Sequence, residues 1–394
     1  MRIGNRALPV GKISLLIVLL LVGLVAAGCT GISGSPGGGS GATITDGTIF
    51  LSPSLKQAGG FGCSTPAVEG KLVAVNAESG IQRWEASLGG AAPSGGFGCS
   101  GGATPVAVYG SPALFEDLVY VAGYNGKVYA LNAESGALRW VYPREGNMQP
   151  IVSGVVVALD KLYFGCSDGK VYALDAVTGD LQPGFPFATG DKIWATPVID
   201  GDTLYIGSYD KKLYAIDAIT GQQKWEKPFE AEGAFASTPL VYNGTIYIGT
   251  LDRHFYAIDA ITGEQKWEKP FEAEKWFWTR AVAFEDTVYV GCFDNKVYAL
   301  NALSGEKIAE FDLEGPVRSW PVLAEDRVLI ATEEGKIYAI DTANNQLGLF
   351  ADLAETIYAP LSLSEGILYV YTQEQNLHAL NADSGVRLWV QPIN

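Results

Sequence analysis

The 394-residue chain is 48% hydrophobic and only 18% charged, so it has the material for a sizeable core and does not read as disordered. Its 27 Lys and Arg face 43 Asp and Glu, a formal charge of -16; phosphate backbones reward the opposite sign through counterion release, which argues against nucleic acid as a partner. Five cysteines without a C-x-x-C spacing exclude a small disulfide scaffold and a zinc ribbon.

The first segment, 1–28, reads as an address. Arg2, Arg6 and Lys12 stand before an apolar run from Ile13 to Ala27, which is too short to cross a bilayer and fits a signal-peptide core. Val25-Ala26-Ala27-Gly28-Cys29 resembles the lipobox of bacterial lipoproteins, which implies that Cys29 is acylated and becomes the first residue of an envelope protein. Thr30 stands where Asp would be a retention signal, so the resemblance implies outward sorting wherever the host has an outer membrane. Residues 29–41 are mostly Gly and Ser and read as a flexible tether.

From 42 to 394 the chain repeats itself. Lys127 to Trp140 (KVYALNAESGALRW) returns as Lys212 to Trp225 (KLYAIDAITGQQKW) and again from Phe255 to Trp267. The Asn or Asp of the motif falls at Asn76, Asn132, Asp175, Asp217, Asp259, Asn301, Asp341 and Asn381, which makes eight copies with one insertion in the first interval. Each unit holds four short β-branched and aromatic runs separated by pairs such as Asn125-Gly126 and Asp168-Gly169. Four strands in 40–45 residues, repeated eight times, predict an all-β, eight-bladed propeller of four-stranded antiparallel blades. Within the motif, Asn or Asp followed by Ser/Thr-Gly predicts a tight turn, and the next strand is expected to end at the Trp. Trp84, Trp140, Trp225, Trp267 and Trp389 are expected to dock each blade on its neighbour, with Phe185, Phe311 and Phe350 as near-equivalents.

The Ala-x-Asp/Asn-Ala-x-Ser/Thr-Gly-x-x-x-Trp pattern resembles the tryptophan-docking repeat of the PQQ-like β-propellers, from about residue 45 to the C-terminus. That family includes quinoprotein dehydrogenases, sensor domains and the envelope lipoprotein BamB, which assists outer-membrane protein assembly. The resemblance implies a BamB-like protein-interaction or assembly scaffold with envelope protein partners, held to a membrane by its lipid and monomeric as a propeller. A small-ligand binding or sensing propeller is the alternative, and a PQQ-dependent oxidoreductase a remote one. Quinoprotein dehydrogenases carry adjacent cysteines beside the cofactor, and this chain has no Cys-Cys pair; no cofactor, metal or catalytic residue is expected.

Departures from the repeat mark further candidates. Gly59 to Ser64 (GGFGCS) returns as Gly95 to Ser100, and in an oxidising compartment the twin loops point to a Cys63–Cys99 disulfide, with free thiols or a bound ligand as alternatives. Cys166 and Cys292 replace small blade residues and read as buried and inert. His254 replaces the turn lysine of its blade and His378 the Tyr of another, both packing or surface positions. Aligning on Pro197, Pro239, Pro321 and Pro360 brings Trp194, Ala236, Trp278, Arg318 and Ile357 into one column, with Trp276, Arg280, Trp320 and Tyr358 nearby. Trp194, Trp276, Trp278, Arg280, Arg318, Trp320 and Tyr358 are therefore candidates for a ligand or partner mouth, because Trp, Tyr and Arg dominate binding hot spots. The competing expectation is that they fill the neck of the ring as core.

Overall fold

The computed structural model describes residues 40–53, 70–89 and 107–393. Cys29, most of the tether and both GGFGCS segments, with Cys63 and Cys99, lie outside the described residues.

The described strands form eight four-stranded antiparallel sheets whose spatial order follows chain order, so each blade is a simple meander. The first blade comprises Thr43–Thr45, Thr48–Leu51, Lys71–Asn76 and Gln82–Ser87. The eighth comprises Ser362–Ser364, Ile367–Tyr371, Asn376–Asn381 and Arg387–Pro392. The innermost strands of blades two to seven begin at Ala113, Val156, Val198, Leu240, Val282 and Val322.

Burial explains the sequence pattern strand by strand. The second and third strands, such as Thr245–Gly249 and His254–Asp259, are covered on both faces by neighbouring blades and are therefore almost continuously apolar. Fourth strands such as Gln82–Ser87 lie at the rim and alternate exposed with half-buried residues. In blades four and five the fourth strand does not run to the Trp as expected. It is confined to Phe229–Glu230 and Phe271–Glu272, because Pro228 and Pro270 remove a ladder donor and push Trp225 and Trp267 into a bend. Gln223 and Gln265 hold that bend, each donating from Nε2 to the Trp carbonyl at 2.8 Å.

There is no single central core. Eight apolar clusters each join two adjacent blades, and together they run round the whole circle, the eighth sealing blade eight to blade one through Ile49, Val75, Tyr369 and Leu377. Among the described residues no strand crosses over at this seam: blade one is built from the N-terminal strands and blade eight from the C-terminal ones. Packing is supplemented there by Ser362 Oγ donating to Ala42 O at 2.6 Å and Tyr369 Oη donating to Ala77 O at 3.3 Å. Ser40 is fully buried and bonded to Ser52, so the ring takes up the chain two residues before the point at which composition ends the tether.

Candidate functional site

The turn motif builds the joints between blades. Asp217 Oδ1 accepts the backbone N–H of Ile219 and Thr220 at 3.0 and 2.7 Å, and these bonds, Thr220 foremost, hold its carboxyl below the usual range. The turn presents the carbonyl of the following Ala to the preceding blade. Trp84, Trp140, Trp225 and Trp267 donate their indole N–H to Ala133, Ala176, Ala260 and Ala302 at 3.0 to 3.2 Å. Each of these rings rests on a motif glycine of the next blade, Gly136, Gly179, Gly263 and Gly305, which holds φ between 70 and 76°. Both the backbone angle and the ring contact exclude a Cβ there. Trp389 lands on Gly80 in the same way, but its Nε1 is buried without a partner.

A second latch escaped the sequence reading. The Tyr at the centre of the second strand donates to the same Ala carbonyl: Tyr120 to Ala176, Tyr163 to Ala218, Tyr205 to Ala260 and Tyr247 to Ala302, at 2.7 to 2.9 Å. Its signal was the recurring Leu/Ile/Val-Tyr-Ile/Val/Phe run, visible as strand but with nothing local to show a hydroxyl partner about 55 residues onward.

Where the chain leads into each innermost strand, three successive positions divide the work. The first is a buried apolar anchor: Val108, Ile151, Ile193, Phe235, Phe277, Val317 and Ile357. Ile357 therefore belongs to this anchor row, and Tyr358 is the residue in register with Trp194, Ala236, Trp278 and Arg318; the proline alignment is one residue out in blade eight because Pro360 stands two residues before its strand, not one. Tyr109 joins the same row from blade two and was missed. After it comes a hydroxyl in several blades: Ser153, Ser237, Thr279 and Ser319 donate to the carbonyl ending the second strand at 2.7 to 3.4 Å, fixing the lead-in against its own blade.

The candidate mouth residues separate into three groups. Trp194 packs edge-on against Tyr209 at 4.9 Å and Trp278 at 6.5 Å between ring centroids; small Ala236 in the blade between them leaves the space for the two indoles to meet. Lys192 lies over both Trp194 and Tyr209. Arg318 stacks on Tyr358 at 4.6 Å and on Phe293 at 5.7 Å, and pairs with Glu333 at 3.3 Å. Trp276, 43% exposed, packs perpendicular to the same Phe293. Arg280 and Trp320 stand apart from the rim, on the wall of a cavity of about 470 Å³ among the innermost strands of blades five to eight. Burial pulls the Arg280 guanidinium below its ordinary pKa, and its Nε has no hydrogen-bond partner.

Other reactive side chains have structural employment. Cys166 and Cys292 are buried free thiols, pushed up to about 12 by burial. Donor atoms of Glu232, Asp252 and His254 lie within 4.8 Å of one another, the one metal-like group among the described residues, but Asp252 is already engaged by Thr250 and His254 inside a hairpin. His378 is buried, with Nε2 at 3.1 Å from Glu355. Desolvation lowers its pKa despite that carboxylate. The folded state therefore binds this proton less readily than the unfolded chain, so the His378 contribution is intact above about pH 6.5 and is lost as pH falls through its lowered folded value. Melting at pH 7.5 and 5.5 is expected to show a smaller acid-induced fall for His378→Gln than for the natural chain; equal falls in both would remove His378 as a cause.

Eight four-stranded blades in a ring, most of them joined to the next by a tryptophan or tyrosine latch, define a PQQ-like repeat propeller. The chain belongs to the family described as outer membrane protein assembly factor BamB, whose model matches residues 35–184, 180–319 and 294–393. Among solved structures, BamB from Moraxella catarrhalis is similar at 20% identity and a TM-score of 0.62, over 79% of this chain and 90% of that one. The computationally designed Ika8 protein is similar at 13% identity and a TM-score of 0.67, over 92% of this chain and 98% of that one. At these identities the two structures show a shared fold. No curated protein matches the chain.

Proposed function

We propose that the protein is an extracytoplasmic scaffold, tethered to a membrane through lipid on Cys29, which binds envelope proteins during assembly in the manner its family's name describes. The observation that carries this reading is the family match along essentially the whole propeller. The surface supports it. At the variable position of the turn motif, blades three to six carry Val177, Ile219, Ile261 and Leu303, exposed by 57, 54, 86 and 75%, whereas blades one, two and eight carry Glu78, Glu134 and Asp383 there. Four consecutive blades thus present exposed aliphatic side chains at one repeat position, and that repetition sets them apart from apolar residues scattered singly.

Photo-crosslinking in the native envelope tests this. A crosslinkable residue at 219, 261 or 303 is expected to trap the same membrane protein, and one at 78 or 134 none; Cys29→Ser is expected to move the protein from the membrane to the soluble fraction. Uniform crosslinking from all five positions, or membrane retention of Cys29→Ser, would count against the docking arc or the anchor respectively.

A further inference from the structure

The inner cavity holds a charge that the fold does not use. Arg280 occupies the repeat position of Gly41, Ser111, Gly154, Thr196, Thr238, Trp320 and Pro360, so the seven other blades close without a cation there. Unlike Arg318, which pairs with Glu333, Arg280 has no carboxylate partner among the described residues, and its Nε is desolvated without a hydrogen bond. In the segments outside the described residues the sole acidic side chain is Glu69, which holds the repeat position of the hairpin acids Asp168 and Asp210. Arg280 is half-buried, with its Nε drawn out of water and unpaired, which is costly, and an anion would supply the counter-charge that no carboxylate among the described residues gives. Around it stand Leu240, Val282 and Leu361 with two aromatic residues, Tyr242 and Trp320, a wall more apolar than polar. The volume of about 470 Å³ lies in the range of small-molecule sites.

We propose that this cavity binds a small organic monocarboxylate with a flat or short apolar body, its anion held by the Arg280 fork and its body against Trp320. Geometry and charge select that class. A guanidinium takes a carboxylate through two parallel N–H donors. A single cation in a chain of net charge -16 cannot balance a polyphosphate, and the apolar wall gives a free inorganic anion nothing to bury. The site lies on the inner strands, away from the rim arc of Val177 to Leu303, and so goes beyond the scaffold reading and stands or falls separately from it.

The test uses the full chain in a neutral detergent, titrated calorimetrically with sodium 2-naphthoate, its neutral isostere 2-naphthamide, sodium octanoate and inorganic phosphate. Naphthoate is expected to bind once per chain, at least tenfold more tightly than the amide, and to quench tryptophan fluorescence. Phosphate alone is expected not to bind. Arg280→Met is expected to abolish the preference for the carboxylate while melting at or above the natural protein when no ligand is present, because it removes an uncompensated charge; Arg280→Lys, which keeps the charge and loses the fork, is expected to fall between. Equal binding of naphthoate and naphthamide, retention of the preference in Arg280→Met, phosphate binding as tight as naphthoate, or a ligand-free Arg280→Met that melts lower would each overturn the proposal, the last by showing that the guanidinium is structural.

Discussion

Trp267→Ala is expected to destabilise the propeller by about 3–5 kcal/mol, the cost of emptying the space of a buried core aromatic, seen as a lowered midpoint in thermal or urea unfolding. The indole touches Tyr247 and Phe255 of its own blade, rests on Gly305 of the next, and donates to Ala302 O at 3.0 Å. Its removal takes a wedge out of the cluster between blades five and six and leaves Tyr247 as the remaining side-chain donor to that carbonyl. Trp389 isolates the hydrogen-bond part of this cost. It packs on Gly80 and Tyr369 in the equivalent way, but its Nε1 is buried unpaired. Replacement by Phe should therefore cost less at Trp389 than at Trp140, which is likewise half-buried, packs on its own blade's Tyr120 and donates to Ala176 O at 3.2 Å, by about 1 kcal/mol, the net worth of one such bond. Equal losses at the two sites would mean that the joint is held by area alone.

The fold was legible because its unit is local. Asn or Asp, the Ser/Thr-Gly pair and the Trp lie within nine residues of each other, and each has a backbone reason to be there, so eight copies announce eight blades. The tyrosine latch was not legible, because Tyr247 and Ala302 meet only after the chain has completed another blade. The mouth was half legible. Proline marks a place where no backbone donor is required, and two adjacent positions before the innermost strand satisfy that condition, so Pro197 and Pro360 do not fix the same register. Trp194 and Trp278 were placed together from sequence, and they touch. Arg280 and Trp320 were grouped with them because they are near in sequence, yet the chain turns from rim to channel within two residues of Trp278 and Arg318, and no periodicity in a single lead-in reveals that turn. The aliphatic arc of Val177, Ile219, Ile261 and Leu303 sat in a column the repeat leaves variable, where only the exposure of the side chains gives it meaning.

Gly249→Val is expected to cost at least about 1–3 kcal/mol, and the reason joins the fold to the candidate sites. Gly249 ends the second strand of blade five, and a Cβ there would clash with Phe277 Cβ, a backbone-proximal atom that a rotamer change does not move. The same closeness recurs at Gly165, Gly207 and Gly291 against Ile193, Phe235 and Val317. These glycines let each buried anchor sit tightly against the preceding blade, and interiors at native density tolerate added methyl groups poorly. Phe277→Gly is expected to be costly alone, but in the double variant the colliding Cβ and the ring are both gone and the valine takes up that space, so the two losses should sum to more than the measured total by about 1 kcal/mol. Additive losses would mean that the two residues do not share this contact. The anchor also fixes its neighbours, since Trp276, Trp278 and Arg280 flank Phe277 in the chain. Displacing it by the width of a methyl group should disturb the Trp194–Trp278 contact and the cavity wall together, giving Gly249→Val a changed tryptophan emission at temperatures where the ring is still folded.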